Sequence, residues 1–254
     1  MITRHHLALA PICTLLISSS LLPFDPVLLV VVIAGSCAGA ILPDFQMKKP
    51  KSPGLLTLPW LAAQFSRIIC IPIMCTFYSV ILPAPPNAID KRMTHSLPGI
   101  LFVFAAVAGI SSLPLLFIRN GVVLSLVKMF LLGVILGLAL HLMEDLCTRK
   151  GISPLFPFGS VSISGSIRPC NRTDPRIARF HAQHCSALIA FLTFRMTGLM
   201  PASLFEGVGL LVLCVILGSM IYLSDVSLTG VHTPVNIPRH PSPTPYPFSP
   251  RASP

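Results

Sequence analysis

Charged residues are scarce in this sequence. They make up 10% of its 254 residues, whereas hydrophobic residues make up 53%, and the mean hydropathy is +0.81. A typical soluble domain has about 25% charged residues, because its surface faces water. So few charges cannot cover such a surface, which excludes an ordinary water-soluble fold and favours a polytopic membrane protein. In a bilayer, a chain of this length accommodates roughly six helices of about 20 residues each, with their loops.

Several motifs that carry common chemistries are also lacking. The eight cysteines form no CxxC pair, and Cys13, Cys37 and Cys214 lie within apolar runs, where cysteine behaves as a small hydrophobic residue. We therefore expect neither a disulfide framework nor a cysteine-based zinc site. The sequence contains no GxSxG, HExxH, Walker or Rossmann pattern, so nothing supports a serine hydrolase, a zincin or a nucleotide-binding enzyme.

Apolar runs mark the candidate membrane segments. A spanning helix needs about 20 mostly apolar residues, and the runs at 97–118, 122–143 and 207–223 meet that standard best. The full set of candidates comprises residues 7–22, 27–42, 68–82, 97–118, 122–143, 187–200 and 207–223.

Three parts of the chain need a separate interpretation. The run at 68–82 is short and contains Pro72, which favours a re-entrant or interfacial segment. The run at 7–22 resembles a signal peptide, but no clear cleavage site follows it, so we expect a retained helix. From 233 to 254 proline occurs at nearly every second or third position, which predicts a disordered tail.

The predicted fold is therefore an all-α polytopic membrane helix bundle with a re-entrant or interfacial segment and a disordered Pro-rich C-terminal tail. We divide it into a metal-site membrane domain at 1–160, a basic loop with additional transmembrane helices at 161–229, and the tail at 230–254.

Basic residues orient this bundle. If the segment at 68–82 does not cross, nearly all loop lysines and arginines lie on one side, and only Arg119 lies on the other, with Lys128 able to snorkel towards it. The positive-inside rule places the basic side, with both termini, in the cytoplasm. The residues on that side are Arg4, Lys48, Lys49, Lys51, Arg67, Lys91, Arg92, Arg149, Lys150, Arg168, Arg172, Arg176 and Arg179.

Five ionisable residues gather at the same membrane face under this topology. His6 precedes the first helix, Asp44 follows the second, His95 precedes the run at 97–118, and His141 and Asp145 end the run at 122–143. An ionisable residue at membrane depth is costly and by default indicates a functional site. We therefore predict that these five residues converge on one divalent metal ion.

His141 and Asp145 are the tightest pair, because residues four apart on a helix lie one above the other. Imidazole nitrogen combined with carboxylate oxygen suits Zn²⁺, Mn²⁺ or Fe²⁺ better than Ca²⁺ or Mg²⁺, and we expect zinc or manganese. Gly133 and Gly137 on the same face allow another helix to pack closely. The alternative is a solvated histidine and a helix-end aspartate; the co-location of the other three residues favours the metal.

Other polar residues are weaker candidates. Glu144 points about 100° away from Asp145 around the helix, and it is either a general base, a group that supports a ligand, or a solvated carboxylate. The pair His181 and His184 has a spacing compatible with metal binding but lies in a basic, amphipathic stretch. Arg195 either snorkels or indicates that the run at 187–200 does not span.

Residues 141–157, HLMEDLCTRKGISPLFP, resemble the HxxxDxxTxxGxxxLxP signature of the YdjM-like family. Residues 93–97, MTHSL, are similar to the end of that family's HRGxTHSL element; residues 42–44, LPD, resemble its LPDxD; and His6 resembles its amino-terminal histidine. The elements keep the family's order from residue 6 to about 157. Members are described as LexA-binding, inner-membrane-associated, metal-dependent hydrolases, an activity inferred from motifs.

The resemblance implies a metal site made of His6, Asp44, His95, His141 and Asp145. Two positions depart from the family pattern: Gln46 replaces the second aspartate of LPDxD, and residues 90–92 read DKR where the family has HRG. Asp90 therefore stands where the family has a histidine and could itself coordinate a metal.

Two function hypotheses follow. The first is hydrolysis of a membrane-borne ester or phosphoester at the cytoplasmic face, with Glu144 or Asp90 as the base and Thr94, Ser96 and Thr148 orienting the ligands. The second is a non-enzymatic anchor with a structural metal, whose basic loops bind an anionic lipid or a cytoplasmic regulator protein. A transporter ranks last, because the spanning runs contain almost no ionisable residues. Membrane lipids are the expected partners, and no direct nucleic-acid contact is expected.

Overall fold

A computed structural model describes residues 3–21, 25–47, 66–82, 90–118, 120–169, 174–199 and 201–229. Within these residues the chain is mostly helical, with seven α-helices and one small antiparallel sheet, which confirms the predicted all-α fold. The elements are α1 (Thr3–Leu21), α2 (Pro26–Ile41), α3 (Ile71–Ile81), α4 (Leu97–Ser112), α5 (Gly121–Leu146), α6 (Pro175–Thr197), α7 (Ala202–Leu223), β1 (Ser162–Ser164) and β2 (Ser227–Thr229).

Polar residues cap the N-termini of several long helices. The side chains of Asp25, Ser96, Asn120 and Asp174 accept hydrogen bonds from backbone N–H groups in the first turns of α2, α4, α5 and α6. These caps satisfy donors that would otherwise lack partners at a helix start. In α2, α4 and α6 a proline follows within two residues of the cap, where its missing N–H removes no helical bond.

Three described helical segments are long and apolar enough to cross a membrane: Pro26–Asp44, Leu97–Leu116 and Gly121–Leu146. The first is longer than predicted, because a 3₁₀ turn at Leu42–Met47 continues α2. Large apolar side chains such as Val30 and Leu101 are exposed on these helices, as expected for surfaces that face lipid tails. The chain is therefore a membrane helix bundle. His5–Ser18, Ile68–Ile81 and Gly207–Leu223 form shorter apolar helices, so a total of six spans stays a prediction.

Glycines bring α2 and α5 into backbone contact. A Cβ atom at Gly35 would collide with the carbonyl oxygen of Phe130, and one at Gly137 would collide with that of Ser36. Gly39 and Gly133 make equally close approaches to the opposite helix. Small residues permit this separation, and without a hydrophobic driving force between helices in lipid such contact is a main source of association. The close packing predicted at Gly133 and Gly137 is confirmed, and its partner is α2.

The helix ends that carry the candidate ligands meet at one end of the bundle. The start of α1, the end of α2, the approach to α4 and the end of α5 converge there. The start of α6 also lies at this end, since His181 contacts His5, and so does the end of α7, since Met220 accepts a hydrogen bond from Cys147.

Helix α1 links the two halves of the chain. Ala10, Cys13 and Leu16 share a buried cluster with Phe191 of α6 and Leu213 of α7. A second cluster joins α4 to α5. The predicted domain boundary at residue 160 stays a prediction. Helix α1, which precedes this boundary, packs against α6 and α7, which follow it.

Helix α3 is the segment predicted to be re-entrant or interfacial. It buries Met74 and Tyr78 and exposes Ile73, Phe77 and Val80. Pro72 is the second residue of α3 and follows directly on a π-helical turn at Ser66–Cys70, so the helical segment changes its hydrogen-bond pattern next to the proline. The proline-rich tail at 230–254 lies outside the described residues.

Candidate metal centre

His141 is fixed by a backbone carbonyl of the neighbouring helix. It is fully buried, and its Nδ1 donates a hydrogen bond to the carbonyl oxygen of Ala40 at 2.7 Å. A carbonyl can only accept, so Nδ1 carries the proton and a neutral imidazole has its free lone pair on Nε2. The close crossing of α2 and α5 therefore decides which nitrogen of His141 can bind a metal.

His95 is held in the same way. Its Nδ1 lies 3.1 Å from the carbonyl oxygen of Lys91 and 3.0 Å from the hydroxyl of Thr94, which leaves the lone pair on Nε2. The Nε2 atoms of His95 and His141 face each other at 3.2 Å. Two lone pairs at this distance repel unless a cation lies between them, so the pair fits a shared metal ion.

Carboxylates complete the candidate ligand shell. Oδ2 of Asp145 lies 3.5 Å from Nε2 of His95 and 3.7 Å from Nε2 of His141, and Oδ1 of Asp44 lies 3.6 Å from Nε2 of His95. These separations exceed ordinary hydrogen-bond lengths. They are close to the roughly 3.3–3.6 Å between two ligands of a tetrahedral ion with bonds of about 2.0–2.2 Å.

His6 supplies two buried nitrogens that lack a hydrogen bond. Its ring stacks on that of His141 with centroids 4.0 Å apart, and its Nε2 lies 3.6 Å from Oδ1 of Asp145. Oε2 of Glu144 lies 2.8 Å from Nδ1, but neither atom has a hydrogen-bond partner of acceptable angle. Leaving such atoms unpaired is costly, and a cation beside the ring would remove much of that cost.

The candidate ligands form two overlapping groups among the described residues. One contains His6, Asp44 and His141, and the other contains His95, His141 and Asp145. His141 belongs to both, and its Nδ1 is already bonded to Ala40, so only Nε2 remains for coordination. The two groups therefore compete for one nitrogen, and the arrangement fits a single ion. The structure thus brings all five predicted residues together; their role as ligands stays a prediction.

The two predicted catalytic carboxylates have different surroundings. Glu144 is buried beside His6. Asp90 forms a close ion pair with Arg92 and caps the turn at Lys91–Met93 through the backbone N–H of Arg92. Neither ligand group includes Asp90. Burial of Glu144 contradicts a solvated carboxylate and is compatible with a base or a group that supports a ligand, whereas Asp90 is paired with Arg92.

The predicted orienting residues act mainly on the backbone. Thr94 contacts Nδ1 of His95 directly. Ser96 caps α4, and Thr148 donates to the carbonyl oxygen of Asp145. Their hydrogen bonds therefore stabilise the backbone segments that carry the candidate ligands.

Sequence reasoning missed Lys91 at this site. Its Nζ lies 3.1 Å from Oδ2 of Asp145 and 3.7 Å from Oδ1 of Asp44. Its charge assigns Lys91 to the basic face, but its place four residues before His95 is a signal that the side chain can reach the cluster.

The weaker histidine candidates lie apart from the ligand groups. Nδ1 of His184 donates to the carbonyl oxygen of Phe180 at 2.7 Å, and Nε2 of His181 lies 2.9 Å from Nδ1 of His5. No described group of three potential ligands includes them. The seven cysteines among the described residues are free.

A family model described as YdjM inner membrane protein matches residues 1–225. The match runs beyond the motifs between residues 6 and 157 and includes α6 and α7. No curated protein and no solved structure matches the chain.

Proposed function

We propose that this chain, which belongs to the YdjM inner membrane protein family, is a metal-dependent hydrolase that cleaves a membrane-borne ester or phosphoester. The observation that carries the proposal is the pair of Nε2 atoms, on His95 and His141, that face each other at 3.2 Å with their protons committed elsewhere. Both Nε2 lone pairs are available to coordinate one cation.

His95, His141 and Asp145 are the proposed core ligands, and His6 and Asp44 complete the set. The mixture of imidazole and carboxylate favours Zn²⁺ or Mn²⁺. Such an ion supplies Lewis acidity, which activates water and polarises the ester oxygen. The carbonyls of Ala40 and Lys91 keep two imidazoles in the tautomer that can bind the ion, as supporting groups commonly do at metal sites.

The surroundings support a lipid or another membrane-borne substrate. The cluster lies at helix ends, the depth at which lipid headgroups meet water. Arg92, Arg149 and Lys150 are exposed near the segments that carry it. Basic residues near a membrane surface attract anionic headgroups, so they would concentrate such a substrate. By the same positive-inside argument, we propose an inner-membrane, multi-pass location with this face and both termini in the cytoplasm.

Glu144 is the proposed proton acceptor, and its Oε2 lies 2.8 Å from Nδ1 of His6. It is the carboxylate beside the ligand groups that belongs to neither of them. Asp90 is the weaker choice because Arg92 holds both of its oxygens. Glu144→Gln should therefore lower turnover more than Asp90→Asn.

The proposal is tested by metal analysis and turnover of purified protein. His141→Ala and Asp145→Asn should lose the bound metal and abolish hydrolysis across a panel of lipid esters and phosphoesters, while membrane insertion persists. Chelation should silence the wild type, and Zn²⁺ or Mn²⁺ should restore it. The matched control is His184→Ala, since His184 is also buried and also donates to a helix carbonyl, yet lies outside the ligand groups. Equal metal content in both histidine variants would contradict the proposal.

The second candidate function is a membrane anchor with a structural metal. The specific observation in its favour is burial, because the side chains of His6, His95, His141 and Asp145 are no more than 3% exposed. Structural metal sites are closed, whereas catalytic sites keep an open position. In that case His141→Ala would lower thermal stability in detergent, and the wild type would bind metal stoichiometrically yet hydrolyse nothing.

A further inference from the structure

Lys91 places a positive charge against the two carboxylates of the cluster. Its Nζ donates to Oδ2 of Asp145 at 3.1 Å and lies 3.7 Å from Oδ1 of Asp44. The contact joins residues 54 positions apart, and one partner, Asp145, is buried. An exposed ion pair would contribute little, but this one neutralises a carboxylate that has lost most of its hydration.

The ammonium and a metal ion would need the same oxygens. Oδ2 of Asp145, which accepts from Lys91, is also the oxygen nearest to the Nε2 atoms of His95 and His141. Oδ1 of Asp44 is likewise shared between Lys91 and His95. Two cations on one oxygen repel strongly in a site screened from water. The ammonium of Lys91 would therefore leave these oxygens if a divalent ion were bound to them.

The displaced side chain has one direction to move. The side chains of Lys91 and Asp44 are 30% and 12% exposed, whereas those of His6, His95, His141 and Asp145 are almost fully buried. This is the open side of the cluster, where a substrate would approach. Lysine carries its charge on a flexible four-carbon chain with three rotatable donors. Its ammonium can therefore move from the carboxylate oxygens to the oxygen of another anion nearby.

We propose that Lys91 exchanges partners: it neutralises Asp44 and Asp145 when no metal is bound, and it binds an anionic phosphoryl oxygen of the substrate when the metal is in place. The inference rests on the proposed function and narrows its substrate class to membrane-borne phosphoesters, since a neutral carboxylic ester offers no anion to the released ammonium.

The first test measures metal affinity. Purified wild type is compared with Lys91→Met, Lys91→Arg and the control Lys128→Met, which removes an exposed lysine charge from α5 away from the cluster. Lys91→Met should bind Zn²⁺ or Mn²⁺ at least about tenfold more tightly, as expected when a like charge leaves a charged site. Lys91→Arg should stay near wild type, and Lys128→Met should be unchanged. Equal or weaker binding by Lys91→Met would overturn the exchange, because a merely structural lysine would give that result.

The second test measures anion binding to the metal-loaded proteins. Inorganic phosphate and a short-chain phosphatidic acid should each bind about tenfold more weakly to Lys91→Met than to wild type or Lys128→Met. Equal binding by all three proteins would refute the second half of the exchange. Tighter binding of inorganic phosphate than of the lipid would refute a membrane-borne substrate.

The two proposals fail in different ways. A wild type that binds no metal would overturn the proposed function and this inference together. A wild type that binds metal stoichiometrically, beside a Lys91→Met variant of the same affinity, would overturn the partner exchange alone.

Discussion

Replacement of Gly137 by alanine tests whether the helix crossing positions the residues of the proposed metal centre. Gly137 lies one turn before His141, and an added Cβ would collide with the carbonyl oxygen of Ser36 and would approach the backbone nitrogen of Ala40 to 2.8 Å. Backbone atoms cannot rotate away, so α2 and α5 must separate. The carbonyl of Ala40, which fixes the tautomer of His141, would move with α2.

The magnitude follows from two opposing terms. Overpacking a close contact costs roughly 1–3 kcal/mol, and alanine recovers up to about 1 kcal/mol of helix propensity over glycine. Because the collision is with backbone atoms, the overpacking cost lies near the upper end of its range, and the net loss is about 2 kcal/mol. For a chain of this size this corresponds to a fall in Tm of about 4–8 °C.

Gly109→Ala is the matched control. Gly109 lies inside α4, and a Cβ there meets nothing within 4 Å. The same chemical change should leave Tm unchanged or raise it slightly, because only the propensity term remains.

Thermal denaturation in detergent and a metal titration measure both consequences. Gly137→Ala should lower Tm in the apo form and weaken metal binding, whereas Gly109→Ala should do neither. A Gly137→Ala protein with the stability and metal affinity of the wild type would show that the crossing does not position the ligands.

Three further predictions concern other parts of the molecule. Thr14→Val removes a buried 2.7 Å hydrogen bond from α1 to a serine hydroxyl of α2 and should cost about 0.5–1.5 kcal/mol in thermal denaturation; an unchanged Tm would contradict this. Hydrogen bonds from Arg176 lower the pKa of Asp174. The ionised carboxylate therefore stabilises the fold above the ordinary aspartate pKa of about 4, and this stability is lost as pH falls through the lowered pKa. The Tm of Asp174→Asn should decline less than that of wild type between pH 6 and 3, and parallel curves would refute the contribution. In a cysteine-free background, Lys150→Cys should react with a membrane-impermeant thiol reagent only from the cytoplasmic side and Asn120→Cys only from the opposite side, since α5 lies between them; labelling from one side would overturn the topology.

Much of the candidate site was predictable because it depends on local order along the chain. The alternation of apolar runs fixes which helix ends share a membrane face, and this brought His6, Asp44, His95, His141 and Asp145 to one end before any contact was known. The spacing of His141 and Asp145 on one helix specifies their proximity through helix geometry alone.

Local patterns were less informative about where elements begin and end. α6 begins at Pro175, well before the apolar run at 187–200, because Asp174 caps a stretch that is basic as well as helical. Pro72 lies where a π-helical turn at Ser66–Cys70 changes into α3, so the segment is helical on both sides of the proline.

The sequence by itself determined a membrane helix bundle with histidines and carboxylates at one face, because hydropathy and helical periodicity act within each segment. Only the tertiary structure decided which nitrogen of His95 and of His141 is free, since carbonyl oxygens of Lys91 and Ala40 set the two tautomers. It also decided that Lys91 contacts the carboxylates. Periodicity predicts which residues share a helix face. Which backbone or side-chain atoms contact those residues depends on packing between segments that are distant along the chain.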